Sequence, residues 1–423
     1  MQTSVAFQVI QDLYRRDRNF CSSDYDACID YLQKILPFAI YQYLSPQPMQ
    51  GWVIPPKWDL LEGTISHQGT VIYEVDHPLK IVGLSAPFQG TVSREELRKH
   101  LHFDRRNPQS IPYHFRQHYR PWQRDWGFCV SQDFYDKLPE GNYEVSITTS
   151  ESEGYLKVAE YTKAGDHPET FAFVAHLDHP GMANDDLAGV AVGVELFRRL
   201  AQQHTKFTYR LVIVQEIIGS VFYLPERRHD VMESLFLEML GSRTELAFQE
   251  SREGKSQLES CLLNALQSHT HRTGPFRSIV CNDENVWESY GIPMPSLSRY
   301  PYPEYHSDKD DPSIISQESL EESVQILLKM IKELDKSTLL RKKFQGVPAL
   351  AHPSYDLYVD PGQPAFGSVA GKTVQSLRLV MDLLPMKPPA FFVESLAKEV
   401  ELHPQEVLNY LRLWEQKGLI ELV

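Results

Sequence analysis

Histidine and carboxylate side chains recur where the apolar segments of this chain end. The apolar segment 171–175 is followed directly by a histidine-rich loop, and the segment 207–214 is followed by a Gln-Glu pair. The residues of this kind that could act together are His176, Asp178, His179, Asp185, Glu216, Glu238, His306 and Asp310. Imidazole and carboxylate groups together suit zinc, with one position left open for water.

Glu238 gives the clearest reason to expect a metal. It lies between Leu237 and Met239 in an apolar run that predicts a buried strand. A buried carboxylate is costly unless it is paired or bound to a metal. Two metal ions would need a bridging carboxylate, and Asp185, at the predicted start of a helix, is in a position to provide one.

Each of these residues also has an ordinary structural explanation. Acidic residues at the start of a helix, such as Asp185 and Asp186, are usually caps. His306 stands among charged residues and Glu216 could be a buried structural acid. Their shared position favours the metal hypothesis, because ligands of open α/β sheets bind at the carboxyl ends of the strands.

The elements that must position these residues alternate between strand and helix over residues 143–335. The predicted strands are 171–175, 207–214, 235–240 and 277–281, and the predicted helices are 187–200, 257–268 and 317–335. This alternation predicts an α/β fold in which helices cover both faces of a mostly parallel sheet.

Changes in composition and hydrophobic pattern along the chain predict three modules. Residues 1–48, with helices at 5–16 and 24–36, and residues 128–340 are predicted to form one catalytic domain. Residues 49–127 predict a small β-rich inserted domain, with strands at 70–75 and 79–84 and a short helix that begins after Ser93. Residues 341–423 predict a linker and a winged helix. The proline-rich linker covers 336–365, the helices 374–384, 391–400 and 404–417, and the last strand 419–422.

Composition limits the classes of function. The 42 basic and 56 acidic residues give a formal charge of −14, which disfavours nucleic acid or an anionic membrane as the main partner. No stretch is long and apolar enough for a membrane span, and no apolar segment follows a basic start as in a signal peptide. The five cysteines are scattered and form no disulfide framework. We therefore expect a cytoplasmic protein.

A local basic stretch runs against this overall charge. Residues 94–124 hold eight lysines and arginines against three acids, interleaved with aromatic residues. The pattern is typical of a solvated face, of an arginine platform for an acidic substrate or partner, or of a nucleic-acid surface. Residues 391–423 hold six glutamates and three basic residues, which favours protein or intrachain packing over DNA binding for the predicted winged helix.

The motifs occur in an order that resembles a known family. The order is His-x-Asp, Asn-Asp-Asp, Glu shortly before Gly-Ser, Glu-Met-Leu-Gly and Tyr-His-Ser-x-x-Asp. It resembles the co-catalytic zinc aminopeptidases of the bacterial leucyl aminopeptidase type, and more closely a bacterial family of aminopeptidase-like proteins. The matching stretches are 77–101, 111–119, 125–131, 179–189, 216–220 and 282–311. The resemblance implies a zinc-exopeptidase-like mixed sheet, an inserted small domain and a C-terminal winged helix.

The resemblance also implies roles for individual residues. One metal would be bound by His176 and Glu238, with Asp178 orienting His176, and Asp185 would bridge to a second metal. The second metal would be completed by Glu216 and His306, with Asp310 behind His306. The implied cofactor is zinc, as one or two ions.

Two positions depart from the aminopeptidase pattern. Active members carry two consecutive glutamates, the first a general base and the second a ligand, whereas this chain has Gln215-Glu216. Either Glu216 is the base and the second metal has fewer ligands, or Glu216 is a ligand and the base is missing. The close family often retains His179 in place of His176, which makes His179 a rival ligand.

These observations predict a metal-dependent hydrolase that cleaves an amide bond in a peptide or peptide-like conjugate. Metal-activated water would attack the amide, and Glu216 would relay the proton to the leaving amine, with Asp178 in support. One alternative is an amidase or deacylase acting on an amino-sugar or surface-polysaccharide precursor. Another is a peptidase-like binding module that has lost its base. The expected partner is a small peptide-like substrate, without nucleic acid or membrane, and a homo-oligomer is left open.

Overall fold

The structure is a computed structural model that describes residues 4–360 and 369–423. The described residues divide into two compact units, one formed by 4–254 and 265–328 and the other by 255–264, 329–360 and 369–423. The helices are α1 (Val5–Leu13), α2 (Ser23–Gln33), α3 (Arg94–Lys99), α4 (Gln132–Asp136), α5 (Leu187–Leu200), α6 (Ile218–Arg227), α7 (Gln257–Leu266), α8 (Glu284–Ser289), α9 (Gln317–Leu334), α10 (Val369–Leu383), α11 (Val393–Glu399) and α12 (Pro404–Gln416).

The strands are distributed over both units. They are β1 (Ala39–Leu44), β2 (Pro48–Met49), β3 (Trp52–Val53), β4 (Lys57–His67), β5 (Thr70–Glu74), β6 (Phe88–Ser93), β7 (Leu101–His102), β8 (Phe128–Cys129), β9 (Asn142–Ser152), β10 (Tyr155–Lys163), β11 (Thr170–His176), β12 (Thr208–Val214), β13 (Val231–Glu238), β14 (Leu246–Gln249), β15 (His271–Gly274), β16 (Ser296–Ser298), β17 (Leu339–Lys342), β18 (Ala390–Phe392) and β19 (Ile420–Leu422).

The main sheet of the larger unit has eight strands in the order β1-β10-β12-β11-β13-β16-β14-β15. Its central strands β12, β11, β13 and β16 are parallel to their neighbours in this group, and antiparallel pairs flank them. Strands β11 and β12 are buried along their whole length, as expected for parallel strands covered on both sides. The prediction of an α/β fold is confirmed, and the sheet is mixed.

Helices α5 and α6 cover opposite faces of this sheet. Phe173 of β11 contacts Phe197 of α5, with ring centroids 5.5 Å apart. The next residue, Val174, packs in one apolar cluster with Phe222 of α6. Because successive residues of a strand point to opposite faces, the two helices lie on opposite sides. The carboxyl ends of the central strands are thereby left as the open edge.

A second, four-stranded antiparallel sheet has the order β5-β4-β9-β6. Its core contains Trp58, Phe128 and Tyr143, which are buried. Strand β9 lies beyond residue 127, so this sheet continues past the limit predicted for the insert. The domain boundaries drawn from the sequence stay predictions.

The smaller unit contains the three-stranded antiparallel sheet β18-β17-β19 and helices α10 to α12. His403 and Glu406 form a reciprocal cap at the start of α12, with Pro404 in its first turn. Trp414 of α12 is fully buried in the core of this unit. The three predicted helices and the last strand are present, and the assignment as a winged helix stays a prediction.

Three sequence predictions of local structure were wrong. Residues 79–84 form no strand, because their first two residues belong to a 3₁₀ turn at Pro78–Lys80 and Ile81 then makes an isolated bridge to Phe128. Residues 277–281 form no strand, because the side-chain oxygen of Gln249 accepts the backbone N–H groups of Ile279 and Val280. The predicted linker contains strand β17, and its residues 361–365 lie outside the described residues.

None of the helices in the described ranges has the length and hydropathy of a membrane span.

Helix α5 approaches β13 closely enough to give a stability test. A Cβ at Gly189 would collide with the carbonyl oxygen of Leu237 and the carboxylate of Asp186, whereas a Cβ at Gly193 would lie 2.8 Å from the flexible side chain of Leu211. Both Gly→Ala changes gain similar helix propensity. We expect Gly189→Ala to lower the free energy of unfolding by about 2 kcal/mol and Gly193→Ala to change it by less than about 1 kcal/mol.

Urea unfolding of the full chain, followed by tryptophan fluorescence, measures the difference. Equal unfolding midpoints for the two variants would contradict the close packing of α5 at Gly189.

Candidate metal centre

Three parallel strands bring their terminal residues to one edge. His176 is the last residue of β11, Glu238 is the last residue of β13, and Glu216 follows β12 by two residues. Asp185 directly precedes the capping residue of α5. His306 and Asp310 lie in the segment between β16 and α9. The structure therefore brings together the residues that the sequence singled out.

Asp310 holds the loop that carries Asp185. Its carboxylate accepts the backbone N–H groups of Ala183, Asn184 and Asp185 at 2.6–3.2 Å. It also accepts the hydroxyl of Tyr302 at 2.6 Å. Burial raises the pKa of Asp310 to about 7, although these hydrogen bonds favour its charged form. These contacts fix the backbone at Asp185. They give the carboxylate of Asp310 a positioning role that requires no contact with a substrate.

Asp186 ties two strand ends to the start of α5. Its side chain accepts the backbone N–H groups of His176 at 3.2 Å, Met239 at 2.7 Å and Gly189 at 3.0 Å. Burial raises the pKa of Asp186 to about 8. Because it caps α5 and bonds both β11 and the residue after β13, Asp186 sets the spacing between His176 and Glu238.

Asp283 fixes the turn after β12 by hydrogen bonds, as Asp186 fixes the strand ends. Its carboxylate accepts the backbone N–H of Ile217 at 3.0 Å and the hydroxyl of Ser220. The Ser220 oxygen in turn accepts the indole N–H of Trp287 at 3.0 Å. This chain of bonds fixes the backbone next to Glu216.

The backbone is strained at this edge. Ile217, Met239 and His306 have positive φ angles of 62°, 54° and 55°. Such a conformation is unfavourable for residues other than glycine, and most of all for a β-branched residue. Two of the three residues directly follow Glu216 and Glu238, and the third is itself a candidate ligand. The three strained residues at this edge thus lie at a candidate ligand or directly after one.

The candidate ligand atoms approach one another at distances typical of shared metal ligands. Nε2 of His176 lies 3.4 Å from Oδ1 of Asp185 and 3.8 Å from Oε1 of Glu238. Oδ2 of Asp185 lies 3.1 Å from Nε2 of His306. Two ligands of a tetrahedral zinc ion are about 3.4 Å apart, given zinc–ligand distances of about 2.1 Å. Asp185 presents Oδ1 to His176 and Oδ2 to His306, which is the arrangement that a bridging carboxylate would need.

His179 is also part of the cluster. Its Nδ1 lies 3.1 Å from Oδ1 of Asp185, and its Nε2 lies 3.5 Å from Oε2 of Glu216. Two groups of three side chains each place their ligand atoms within 4.8 Å of one another, and His179 belongs to both. The first group adds His176 and Asp185, and the second adds Asp178 and Glu216. The rivalry between His176 and His179 as ligand therefore persists.

Many of these atoms are buried without a hydrogen bond. The group comprises Nδ1 and Nε2 of His176, Oδ2 of Asp178, Nδ1 of His179, Oδ2 of Asp185, Oε2 of Glu238 and Nε2 of His306. A buried polar atom without a partner loses its hydration and gains nothing in return. Their convergence and donor chemistry fit a zinc ion bound among them.

The electrostatics show how strongly the groups depend on compensating charge. Burial disfavours ionised Asp185, yet the imidazoles of His179, His176 and His306 hold the pKa of its carboxyl well below the usual range. Burial likewise opposes ionisation of Glu216, but chiefly His179 lowers its pKa to about 2. In return, Asp185 raises the pKa of His179 to about 10 against the effect of burial. The carboxylates stay ionised only beside positive charge.

Gln215 and Glu216 point to different environments. Gln215 is fully buried, and its amide nitrogen donates to the carbonyl of Phe20 at 3.0 Å. The carboxylate of Glu216 accepts the hydroxyl of Tyr119 at 2.6 Å, and Glu216 lines a cavity of about 670 Å³. Asp178 supports the same turn, because its Oδ1 accepts the backbone N–H of Glu216 at 2.7 Å. Of the Gln-Glu pair, Glu216 lines the cavity.

The cavity takes part of its wall from the segment around residue 115. Phe115 and Tyr119 line it together with Trp52. Tyr305 and His306, from the segment between β16 and α9, also line it. Tyr113 packs edge-on against His179 and His306, with ring centroids 4.9 and 5.3 Å apart. Aromatic rings thus enclose the imidazoles and exclude water from one side of the candidate centre.

Several residues of the centre escaped the sequence analysis. Arg18 is fully buried and donates to the carbonyl groups of Leu177, His179 and Met182, which fixes the histidine loop. The side chain of Asn282 donates to Glu238. Tyr119 and Asn282 belong to stretches that resemble the family, but neither residue type suggested a role. The contact of Arg18 spans about 160 positions and has no local signal.

Comparisons with known proteins identify relatives of similar sequence and fold. A Clostridium acetobutylicum protein, whose name assigns it to polysaccharide biosynthesis with an aminopeptidase-like domain, is 25% identical over 344 residues. That match covers 78% of this chain and 77% of the relative. A crystal structure from Clostridium acetobutylicum, named as a peptidase, has a TM-score of 0.75 at 21% identity and covers 99% of this chain and 96% of that one.

The fold is also shared with an enzyme that is named for its metal. BSAP, a zinc aminopeptidase from Bacillus subtilis, has a TM-score of 0.58 at 14% identity, covering 78% of this chain and 94% of BSAP. At such identities the likeness shows the fold, which is aminopeptidase-like.

The family itself is shown by the sequence match. Residues 7–337 match the family described as a domain of unknown function, DUF4910. The match covers both the main sheet and the strands of the second sheet in the larger unit. This chain belongs to the DUF4910 family.

Proposed function

We propose that this protein is a zinc-dependent hydrolase of the aminopeptidase type that cleaves an amide bond in a peptide or peptide-like conjugate. The observation that carries the proposal is a set of histidine and carboxylate side chains around Asp185 whose donor atoms approach one another to 3.1–3.8 Å. Several nitrogen and oxygen atoms of the same side chains are buried without a hydrogen bond. The fold shared with a zinc aminopeptidase supports the same assignment.

The residues divide into two ligand sets around Asp185. In this proposal His176, Glu238 and one oxygen of Asp185 would hold a first ion. His306 and the other oxygen of Asp185 would hold a second ion, which has fewer ligands because Glu216 serves as the base. Asp178, whose Oδ1 is 3.5 Å from Nδ1 of His176, orients that imidazole. Bound zinc supplies Lewis acidity towards the scissile carbonyl and lowers the pKa of water.

Glu216 is the group that moves the proton in this proposal. Gln215 has no titratable group, and its amide is engaged with the backbone at Phe20. Glu216 lines the cavity, and Tyr119 holds one of its oxygens. With its other oxygen, Glu216 is placed to accept a proton from water and to pass it to the leaving amine. Tyr119 keeps the carboxylate aimed at the cavity.

A second candidate function has a specific observation in its favour. The Clostridium acetobutylicum relative is named for polysaccharide biosynthesis, although it also carries an aminopeptidase-like domain. The same metal chemistry would then remove an acyl group from an amino sugar. A substrate panel separates the two: release of 4-nitroaniline from aminoacyl-nitroanilides supports the peptidase, and acetate release from N-acetyl sugars alone selects the deacylase.

The role of Glu216 leads to the first prediction for the centre. We expect Glu216→Gln to lower kcat by about a hundredfold or more, because the amide cannot accept a proton. Turnover of aminoacyl-nitroanilides by the zinc-loaded chain measures the effect. The matched control is Glu226→Gln, the same chemical change at an exposed position of α6, which should leave kcat unchanged.

Zinc content of the same variants, determined by elemental analysis, separates proton transfer from metal binding. Full turnover in Glu216→Gln would overturn the assignment. A metal-free, well-folded wild-type chain after zinc loading would overturn the metal mechanism.

The choice between the two histidines leads to the second prediction. We expect His176→Ala to lose at least one zinc equivalent, because Nε2 of His176 lies near both Asp185 and Glu238. His179→Ala should retain that ion, since no contact between His179 and Glu238 is formed among the described residues. Equilibrium dialysis against zinc followed by elemental analysis measures both. The reverse result, with zinc lost only in His179→Ala, would make His179 the ligand.

A further inference from the structure

A second cavity adjoins the candidate centre and carries a different chemistry. It has a volume of about 490 Å³ and shares Phe115, Tyr305 and His306 with the cavity that Glu216 lines. Its remaining wall includes His102, Asp104, Arg106, His114 and Arg116. A molecule that occupies both cavities would pass His306 and the aromatic side chains at their boundary.

The charge of this second cavity is uneven. Arg106 is paired with Asp104 through three side-chain contacts at 3.1–3.3 Å, so these two charges largely cancel. Among the described residues, no hydrogen bond or ion pair engages the guanidinium of Arg116. One uncompensated cation therefore borders the cavity, and a planar guanidinium binds carboxylate and phosphate oxygens in pairs.

Two histidines lie beside Arg116 and supply uncharged donors. The rings of His102 and His114 are 4.1 Å apart at their centroids. Burial lowers the pKa of both imidazoles, that of His102 to about 4. Nδ1 of His114 is buried without a hydrogen-bond partner. Neutral imidazole N–H groups can complete the coordination of an anion whose charge Arg116 balances.

The basic surface continues away from the candidate centre. A further cavity of about 600 Å³ is also lined by His102, His114 and Arg116. Arg120 and the exposed side chain of Trp122 line this cavity as well. The arginine-rich stretch of the sequence is thus arranged as a path that begins at the candidate centre. A cavity of about 490 Å³ beside the candidate centre suits a small anionic group better than a nucleic-acid strand.

We propose that the cavity at Arg116 binds an anionic group, a carboxylate or a phosphate, of the substrate whose amide is cleaved beside Glu216. Arg116 supplies the charge, and His102 and His114 supply further hydrogen bonds. The substrate class is then a peptide or amide conjugate with an acidic group beyond the scissile bond. This inference rests on the proposed hydrolase function, but the binding of the anion is measurable without turnover.

The binding test uses the full metal-free chain with glutarate and inorganic phosphate as probes, followed by isothermal titration calorimetry. We expect Arg116→Gln to raise the Kd of at least one probe about tenfold or more, and Arg116→Lys to give an intermediate value. The matched control is Arg105→Gln, which removes the same charge from an exposed residue that lines neither cavity. The probe that responds identifies carboxylate or phosphate as the source.

Kinetics then connects the subsite to the reaction. The zinc-loaded wild-type chain should prefer peptides with glutamate or phosphoserine after the scissile bond over their glutamine or serine counterparts, in kcat/KM, by about tenfold. Arg116→Gln should abolish this preference and Arg105→Gln should keep it.

Equal probe affinity in wild type and Arg116→Gln, or equal weakening by Arg105→Gln, would overturn the anion site. Anion binding that depends on Arg116 without hydrolysis of any peptide would support the site and contradict the proposed peptidase function. The two failures are therefore distinguishable.

Discussion

The arrangement of this protein depends on burying four carboxylates and three histidines at one edge of a sheet. Asp178, Asp185 and Glu238 are almost completely inaccessible, and Glu216 is largely so. Removing one charge from water without a partner costs several kcal/mol. These groups share too few hydrogen bonds to offset that cost. Positive charge among them is required, either as protonated imidazole or as a divalent cation.

The surrounding structure can be understood as support for this charged centre. Asp186, Asp283 and Asp310 accept backbone N–H groups from the ends of β11 and β13, from the turn after Glu216 and from the loop of Asp185. Arg18 fixes the histidine loop from the opposite direction. The strained residues Ile217 and Met239 persist because these bonds hold the backbone around them.

The periodicity of the sequence was sufficient for α5, β11 and β12, whereas β13, which carries Glu238, begins four residues and ends two residues before the limits of the predicted range 235–240. Helix α5 begins and ends where predicted. The observed limits of β11 and β12 lie within one residue of the predicted limits, because both strands are fully buried and have strong apolar patterns. The strand expected at 277–281 is absent because a side chain, Gln249, takes the hydrogen bonds that a strand would form. A hydrogen bond from the backbone to a distant side chain leaves no trace in the periodicity of the sequence.

The candidate ligands could be named from the chain because metal-binding residue types stood at strand ends. Of the positioning residues, Asp178 and Asp310 were named through the resemblance, but Tyr119 and Asn282 could not be, because their contacts are long-range and their types are common. Tyr119 reaches Glu216 across 97 positions, and Asn282 reaches Glu238 across 44. The basic stretch around Arg116 was visible, but only the fold showed that it borders the same histidine, His306, as the candidate centre.

The most direct test of the account is a crystal structure of zinc-soaked protein with anomalous diffraction measured on both sides of the zinc edge. The account predicts anomalous density within about 2.2 Å of an Asp185 oxygen and of Nε2 of His176. A second peak between Asp185 and His306 would show the bridging arrangement. Absence of zinc density at Asp185, with the histidines still paired directly to the carboxylates, would contradict the central claim that this edge of the sheet is a metal centre.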